Sequence, residues 1–557
     1  MVAIHSDTTV QTDSALPPAS KTSWRFGDLS AAELMPHLQR HLLKQDSRAN
    51  WQLVWLNNDG QPVIGLLPKM SWCVYPLAND TRHSAQQASL YKVEKTCRTV
   101  FSDSGNASDD DSYMSYSEWQ EELIAYSQHY NNNDVSILAN KNNQQLSYHH
   151  GLIGFISYDI ATHELSPATN IEMVVQPCAL LGHYDIYLMP DAEQKNWQLR
   201  VNNNNVNFDS SSVQHNINSL VAMLISYLDS LDKQLSNENT NKKQPNKMPT
   251  LLLQAQWSKQ QYQQAFQQTQ DYLQQGDCYQ INLTQAWNGC LSSYGDKSVT
   301  SLIDYLPALH ANTQAPFAGY VAVDTFNDDD RTDTSKHQFE LLSCSPELFF
   351  TFNTDVKTDK HHIRTKPIKG TMPRGLTIKQ DNDYKQLLIN SEKDRAENVM
   401  IVDLLRNDLG KYAKIGSVKV PQLFAIESFS NVHHMVSTIT AELKTDTHPL
   451  SVLFGSLPAG SITGTPKKRA VEIIAELEAA PRGAYCGTMG YMNFDGSGQW
   501  NVLIRTLQAT SAADNNKYIS LWAGGGITVA SDCDAEYQEC LDKVGNLLSV
   551  LAKADNN

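Results

Sequence analysis

Four carboxylates stand out by spacing alone. Glu536 and Glu539, followed by Lys543, fall at i, i+3 and i+7, and Asp394 and Glu397 form a second i, i+3 pair. On helices this spacing lines each set along one face, although either pair alone is most often a solvated helix surface. If the two helices converge, four carboxylates without histidine or cysteine make a hard oxygen site suited to Mg2+. Two glycine-rich segments could receive an anion: Gly460 to Lys467, which leads towards a helix, and Ala523-Gly524-Gly525-Gly526-Ile527, which follows a strand. The first is not a phosphate-binding P-loop, since Gly464 is followed by Thr465 and Pro466 rather than by Lys and Ser/Thr. Lys369 stands between Ile368 and Gly370, where a desolvated amine could act as a nucleophile. Glu347, in Ser345-Pro346-Glu347-Leu348-Phe349, is one carboxyl among apolar residues, an environment that suits a general acid.

The elements that must hold these residues can be read from caps and periods. Ser258 opens a helix with Tyr262, Phe266 and Leu273 on one face and Gly276 at its end. In the strand-like run Cys278–Gln285, Tyr279, Ile281 and Leu283 alternate with Gln280, Asn282 and Thr284, so a polar face can line a pocket. Ser391 and Asp394 form a capping-box arrangement for a second helix, which Gly410 can close. Pro466 suits the first position of a third, and a fourth begins near Asp534. Strands and helices mix without regular βαβ alternation, which predicts an α+β chain with mostly antiparallel sheets.

At 557 residues the chain is long enough for two subdomains around a deep site, and its nine scattered cysteines read as reduced thiols. A net charge of -16 argues against nucleic acid or an anionic membrane as partner, so an anionic substrate needs a local basic pocket. No run approaches the roughly 18 apolar residues of a membrane span, and the start lacks the marks of a secretory signal, so a cytoplasmic protein is expected. Residues 1–24 read as a disordered tail, 25–235 as an N-terminal subdomain with a polar insertion near 101–148, 236–249 as a linker, and 250–555 as a catalytic domain.

Seven ordered segments resemble the chorismate-utilising enzyme family. They are Gly276 to Leu283, Ser345-Pro346-Glu347, Pro367 to Thr371, Lys393 to Asn398, Asp403 to Asp408, Pro458 to Lys467, and Glu536 to Lys543; Gly151 to Asp159 resembles a further N-terminal segment. The resemblance implies an anthranilate synthase component I-like α+β fold, with large antiparallel sheets, helices outside and two subdomains forming a central cleft. It implies that Glu397 and Glu539 bind Mg2+ directly and that Asp394 and Glu536 reach it through water. Tyr485, Arg505 and Lys543, with the backbone at Gly524 and Gly526, match positions that hold chorismate. His434 and Ser461 match residues lining its ring and 4-hydroxyl, and Glu347 matches the acid that protonates that hydroxyl. Gln280 stands where water-adding members carry a lysine base, so water addition is not expected. Pro367-Ile368-Lys369-Gly370 has the form of the branch that aminates C4, with Lys369 as nucleophile, whereas the anthranilate branch, the alternative, usually has alanine there. The expected reaction is therefore formation of 4-amino-4-deoxychorismate for 4-aminobenzoate and folate synthesis. The chain has no Gly-x-Cys-x-Gly-x-Gln segment, so a glutamine amidotransferase (glutaminase) subunit is expected to supply ammonia.

Overall fold

The Ser258 hydroxyl accepts a hydrogen bond from the Gln261 N–H, and the Gln261 side chain accepts one from the Ser258 N–H, which closes the start of helix Lys259–Gln275. Gly276, at φ 84°, ends it in a left-handed conformation that glycine adopts without a Cβ penalty. The chain then enters strand Gln280–Leu291. Tyr279 lies just outside that strand and is exposed, so the apolar alternation begins at Ile281 rather than at Tyr279. Gln280, Asn282 and Thr284 are buried as well, so the polar face of this strand turns inward.

This computed structural model describes residues 22–45, 51–77, 89–98, 108–133, 146–169, 171–202, 211–238, 250–291, 301–323, 339–355, 358, 360–429, 432–511 and 516–553. Their strands form two large sheets in which every pairing is antiparallel. Both sheets draw on early and late parts of the chain. In the first, Val54–Leu56 pairs with Gly319–Val323, and the sheet continues through Phe339–Ser343 and Thr506–Ser511 to Lys517–Ile527 and Gln280–Leu291. In the second, Gly151–Ile156 lies between Ala179–His183 and Thr488–Asn493. The α+β class with large antiparallel sheets is the observed architecture.

Several local expectations shift. Ser23–Trp24, inside the stretch read as a tail, pairs with Gln198 and Trp197, and Trp24 is fully buried. Part of the insertion near 101–148 is regular: Ser108–Ser115 pairs with Leu90–Cys97, and helix Tyr116–Asn133 buries Trp119 and Leu123. Most of the 236–249 stretch lies outside the described residues, while 236–238 end the helix Ser211–Glu238. Ser391 accepts the Asp394 N–H at 3.2 Å, but its own N–H donates to the Leu388 carbonyl, so the reciprocal half of the capping box is replaced. The resulting helix, Glu392–Gly410, includes Gly410 and ends at Lys411. Pro466 is an N-cap and not the first helical residue, because Gly464–Thr465 is still extended and paired with Ile281 and Gln280. The last helix, Cys533–Ala552, is capped by Asp532, whose carboxylate accepts the Ala535 N–H at 2.9 Å.

Candidate active site

Strand Lys517–Ile527 carries three consecutive glycines, and the absence of their side chains shapes the site. A Cβ on Gly525 would stand 2.9 Å from Glu536 Oε2, 3.9 Å from Glu539 Oε1 and 3.9 Å from Lys543 Nζ. Only a bare backbone lets the last helix bring that acidic face so close. Lys543 donates to the Gly524 carbonyl at 2.7 Å and pairs with Glu539 at 2.7 Å. On the neighbouring strand, the buried Gln280 places its side-chain nitrogen where a Cβ on Gly526 would be, 2.4 Å away, while its Oε1 has no hydrogen-bond partner.

Helix Glu392–Gly410 brings the second acidic pair to the same place. Lys393 Nζ lies 3.0 Å from Glu536 Oε1 and 4.0 Å from Glu397 Oε1, so one ammonium spans both helices. Glu397 is buried, and neither of its carboxylate oxygens completes a hydrogen bond, although Lys369 Nζ pairs with Oε2. Lys369 comes from strand Ile368–Pro373, where Gly370 takes φ 85°. A Cβ there would meet Asp394 Cγ at 2.9 Å, so the close approach that puts Asp394 beside this strand depends on glycine. Lys543, Lys369 and Lys393 together more than offset burial at Glu539 and hold its carboxyl below the usual range.

Glu347 faces this cluster from the turn between Phe339–Ser343 and Leu348–Asp355. Burial pushes its carboxyl up to about 7, against the opposing pull of the Ser461 hydroxyl, which donates to Oε1 at 3.4 Å, and of Lys543, Lys369 and Arg505. The charges acting on Glu347 thus come from three separate segments, and the hydroxyl from a fourth. Burial also lowers the Arg505 guanidinium, which sits on left-handed backbone at φ 53° with its carbonyl accepting the Cys344 N–H at 3.0 Å. His434 lies opposite Thr371 in the sheet, and its Nδ1 is 2.9 Å from Thr371 Oγ1. Burial and then Arg505 bring this imidazole down to about 4, so it is neutral at physiological pH. Tyr485 reaches the glycine strand indirectly, stacked on Trp522 at 6.1 Å and an interplanar angle of 15°.

The residues singled out by spacing and by resemblance therefore converge, with Lys369, Glu347, Glu397, Glu536, Glu539 and Lys543 tied by direct contacts or by charge. Three others belong to the arrangement without having been assigned a part. Gly525 is the glycine that abuts the carboxylates, Lys393 bridges the two helices, and Thr371 fixes the imidazole of His434. The i, i+4 relation of Lys393 to Glu397 and the i, i+2 relation of Thr371 to Lys369 are the sequence signals that point to the last two.

Two acidic helices held together beside a glycine strand, in a chain built on two large antiparallel sheets, mark a class of enzyme. Residues 91–549 match the family model described as chorismate binding enzyme, and the chain belongs to that family. It is 38% identical to aminodeoxychorismate synthase component 1 of Escherichia coli K12 over 414 residues, 74% of this chain and 79% of the relative. It is 43% identical to the protein of the same name from Klebsiella aerogenes, over 53% of this chain and 59% of that one. Among solved structures, anthranilate synthase component I from Streptococcus pneumoniae TIGR4 superposes with a TM-score of 0.59 at 20% identity, covering 87% of this chain and 91% of that one, a likeness of fold.

Proposed function

We propose that this chain aminates chorismate at C4 to give 4-amino-4-deoxychorismate, the precursor of 4-aminobenzoate in folate synthesis. The observation that carries the reading is the placement of Lys369, an amine that the anthranilate branch usually lacks, within the cluster formed by Glu397, Glu539 and Glu347. Relatives bearing the aminodeoxychorismate synthase name support it.

In this mechanism Lys369, as the free amine, forms a bond from Nζ to C2 of chorismate. The two ring double bonds shift, the C4–O bond breaks, and protonated Glu347 gives its proton to the departing hydroxyl, which leaves as water. Ammonia then attacks C4, the double bonds shift back, and Lys369 leaves as the neutral amine while Glu347 takes a proton from the new ammonium group. The enolpyruvyl ether is untouched. His434, neutral and held by Thr371, lines the ring, and Arg505 and Lys543 offer positive charge to carboxylate groups. With glutamine as nitrogen donor the overall reaction is of the transaminase class.

Mg2+ suits this donor set, because the carboxylates are hard oxygen ligands, Glu397 has both oxygens buried without a hydrogen bond, and Gly525 leaves open the space a Cβ would fill. Glu397 and Glu539 would hold the ion directly and Asp394 and Glu536 through water; when bound it would supply positive charge to the ring carboxylate of the substrate. Glu397 is also the carboxylate that pairs with Lys369, so a metal that engages Glu397 competes with the lysine for it. The "component 1" in the relatives' names supports a second subunit, which we take to be a glutamine amidotransferase.

Incubation with chorismate, Mg2+ and ammonium, followed by chromatography, tests the reading. The 4-amino product is expected from ammonium alone, and from glutamine only when a glutaminase subunit is added. Lys369→Ala is expected to bind chorismate but lose at least about 100-fold in product formation. Intact mass analysis without ammonia is expected to show a lysine adduct that this variant lacks. Anthranilate as the wild-type product, or an unimpaired variant, would overturn it.

A further inference from the structure

Where the chain crosses from one sheet to the other, at residues outside the acidic helices, three buried ligand-type side chains converge. His150 immediately precedes strand Gly151–Ile156, His183 ends strand Ala179–His183 of the second sheet, and Asp185 precedes strand Ile186–Pro190 of the first. His183 Nε2 lies 2.8 Å and His150 Nε2 3.1 Å from Asp185 Oδ1, and one ligand atom from each residue falls within 4.8 Å of the others. His183 is fully buried, and His150 and Asp185 nearly so.

Such contacts could be an ordinary hydrogen-bonded cluster, but the angles argue otherwise. Despite their 2.8 Å separation, neither His183 Nε2 nor Asp185 Oδ1 completes a hydrogen bond. Buried polar atoms left without a hydrogen bond at so short a separation call for a further partner, and an ion is one that both can serve. The other nitrogen of His183 is engaged, with Nδ1 2.8 Å from the Tyr126 hydroxyl. A bond there fixes the ring and leaves Nε2 to present its lone pair, the outer-shell arrangement usual for a metal-bound histidine. Lys69 Nζ sits on the opposite oxygen of Asp185, 3.8 Å from Oδ2, which leaves Oδ1 to the imidazoles. Tyr130 and Phe494, each with a ring centroid 4.8 Å from that of His183, wall the position with aromatic carbon.

We propose that His150, His183 and Asp185 form a site for a divalent transition metal of the Zn2+ type, separate from the acidic site of the chorismate chemistry. Two imidazoles and one carboxylate are a borderline donor set that favours Zn2+ or its neighbours over Mg2+, and neighbouring ligand atoms around a tetrahedral zinc stand roughly 3.3 Å apart. Bound there, the ion joins the end of a strand in one sheet to the start of a strand in the other, with helix Tyr116–Asn133 fastened through Tyr126. Its role is that of a structural clasp.

The test is dialysis of the whole chain against Zn2+ with excess Mg2+, followed by metal analysis, thermal melting and Co2+ spectroscopy. One Zn2+ per chain is expected in the wild type and equally in Glu397→Gln, which separates this site from the acidic one. A rise in melting temperature should accompany it, because the ion binds the native state. His183→Ala and Asp185→Asn should lose at least tenfold in affinity and lose the shift. His150→Asn provides a third removal of one donor should either of the others fail to fold, as judged by circular dichroism. With Co2+, d–d bands without a thiolate charge-transfer band are expected. Failure to retain Zn2+, full retention by the folded triad variants, or a thiolate band would each overturn the proposal.

Discussion

Glu347 is a carboxyl under two opposing influences, and their balance makes a pH profile predictable. Burial raises it from the ordinary 4.5 to about 7, while Ser461, Lys543, Lys369 and Arg505 pull the other way. A raised value means that this group's contribution to stability is complete below about 4.5 and is lost as pH rises through about 7. The proton it donates is lost over the same window. Single-turnover amination should therefore decline on the alkaline side of about pH 7, and Glu347→Gln should flatten that limb while slowing the reaction by about 10²–10⁴. A wild-type rate unchanged between about pH 6 and 9 would remove Glu347 from the proton transfer. At this scale much of the candidate site was legible in the sequence, because carboxylates at helical spacing and a lysine beside a glycine announce themselves as types. What spacing cannot carry is the pairing across segments: that Lys393 spans to Glu536, or that Thr371 meets His434, depends on how two helices and two strands pack.

Elements were legible where the local signal agreed with the tertiary one. The helix opened by Ser258 has its cap, its Gly276 stop and its apolar face in the sequence, and it folds as they dictate. The signal misled where a distant partner intervened, as at Pro466, whose preceding residues are drawn into a strand by Gln280 and Ile281. The glycine strand shows the same limit, since composition marks three glycines without telling which one abuts the carboxylates. That difference is testable. Gly525→Ala puts a methyl 2.9 Å from Glu536 Oε2, so Mg2+ titrations should show at least tenfold weaker dependence of turnover on the ion, with the native fold retained. Gly545→Ala, in the last helix with nothing within 4 Å of the added carbon, should instead raise stability by about 1 kcal/mol and leave turnover unchanged. Equal Mg2+ dependence in Gly525→Ala and wild type would mean that the close approach of Glu536 is immaterial.

The whole molecule is set by pairings that no local pattern announces. Val54–Leu56 pairs with Gly319–Val323, and Gly151–Ile156 with Thr488–Asn493, so each sheet is completed only by strands from both sides of residues 239–249. A strand such as Gln280–Leu291 was readable from its own alternation; its partner Lys517–Ile527, more than two hundred residues on, was not. Residues 250–557 expressed alone would leave Gly319–Val323 and Thr488–Asn493 as bare edges, and we predict that this fragment neither melts cooperatively nor binds chorismate. Calorimetry and equilibrium dialysis would decide, and a sharp transition with retained binding would contradict it. The same pairings impose a timetable on birth at the ribosome. Ile156 emerges about 330 residues before its partner Thr488, which at roughly 5–20 residues per second is an interval of roughly 17–66 s. Throughout it, an apolar strand with all six residues destined for burial has its outer hydrogen-bonding groups unclaimed. The nascent chain is thus a natural client for holding chaperones, and slow translation ahead of residue 488 lengthens its exposure.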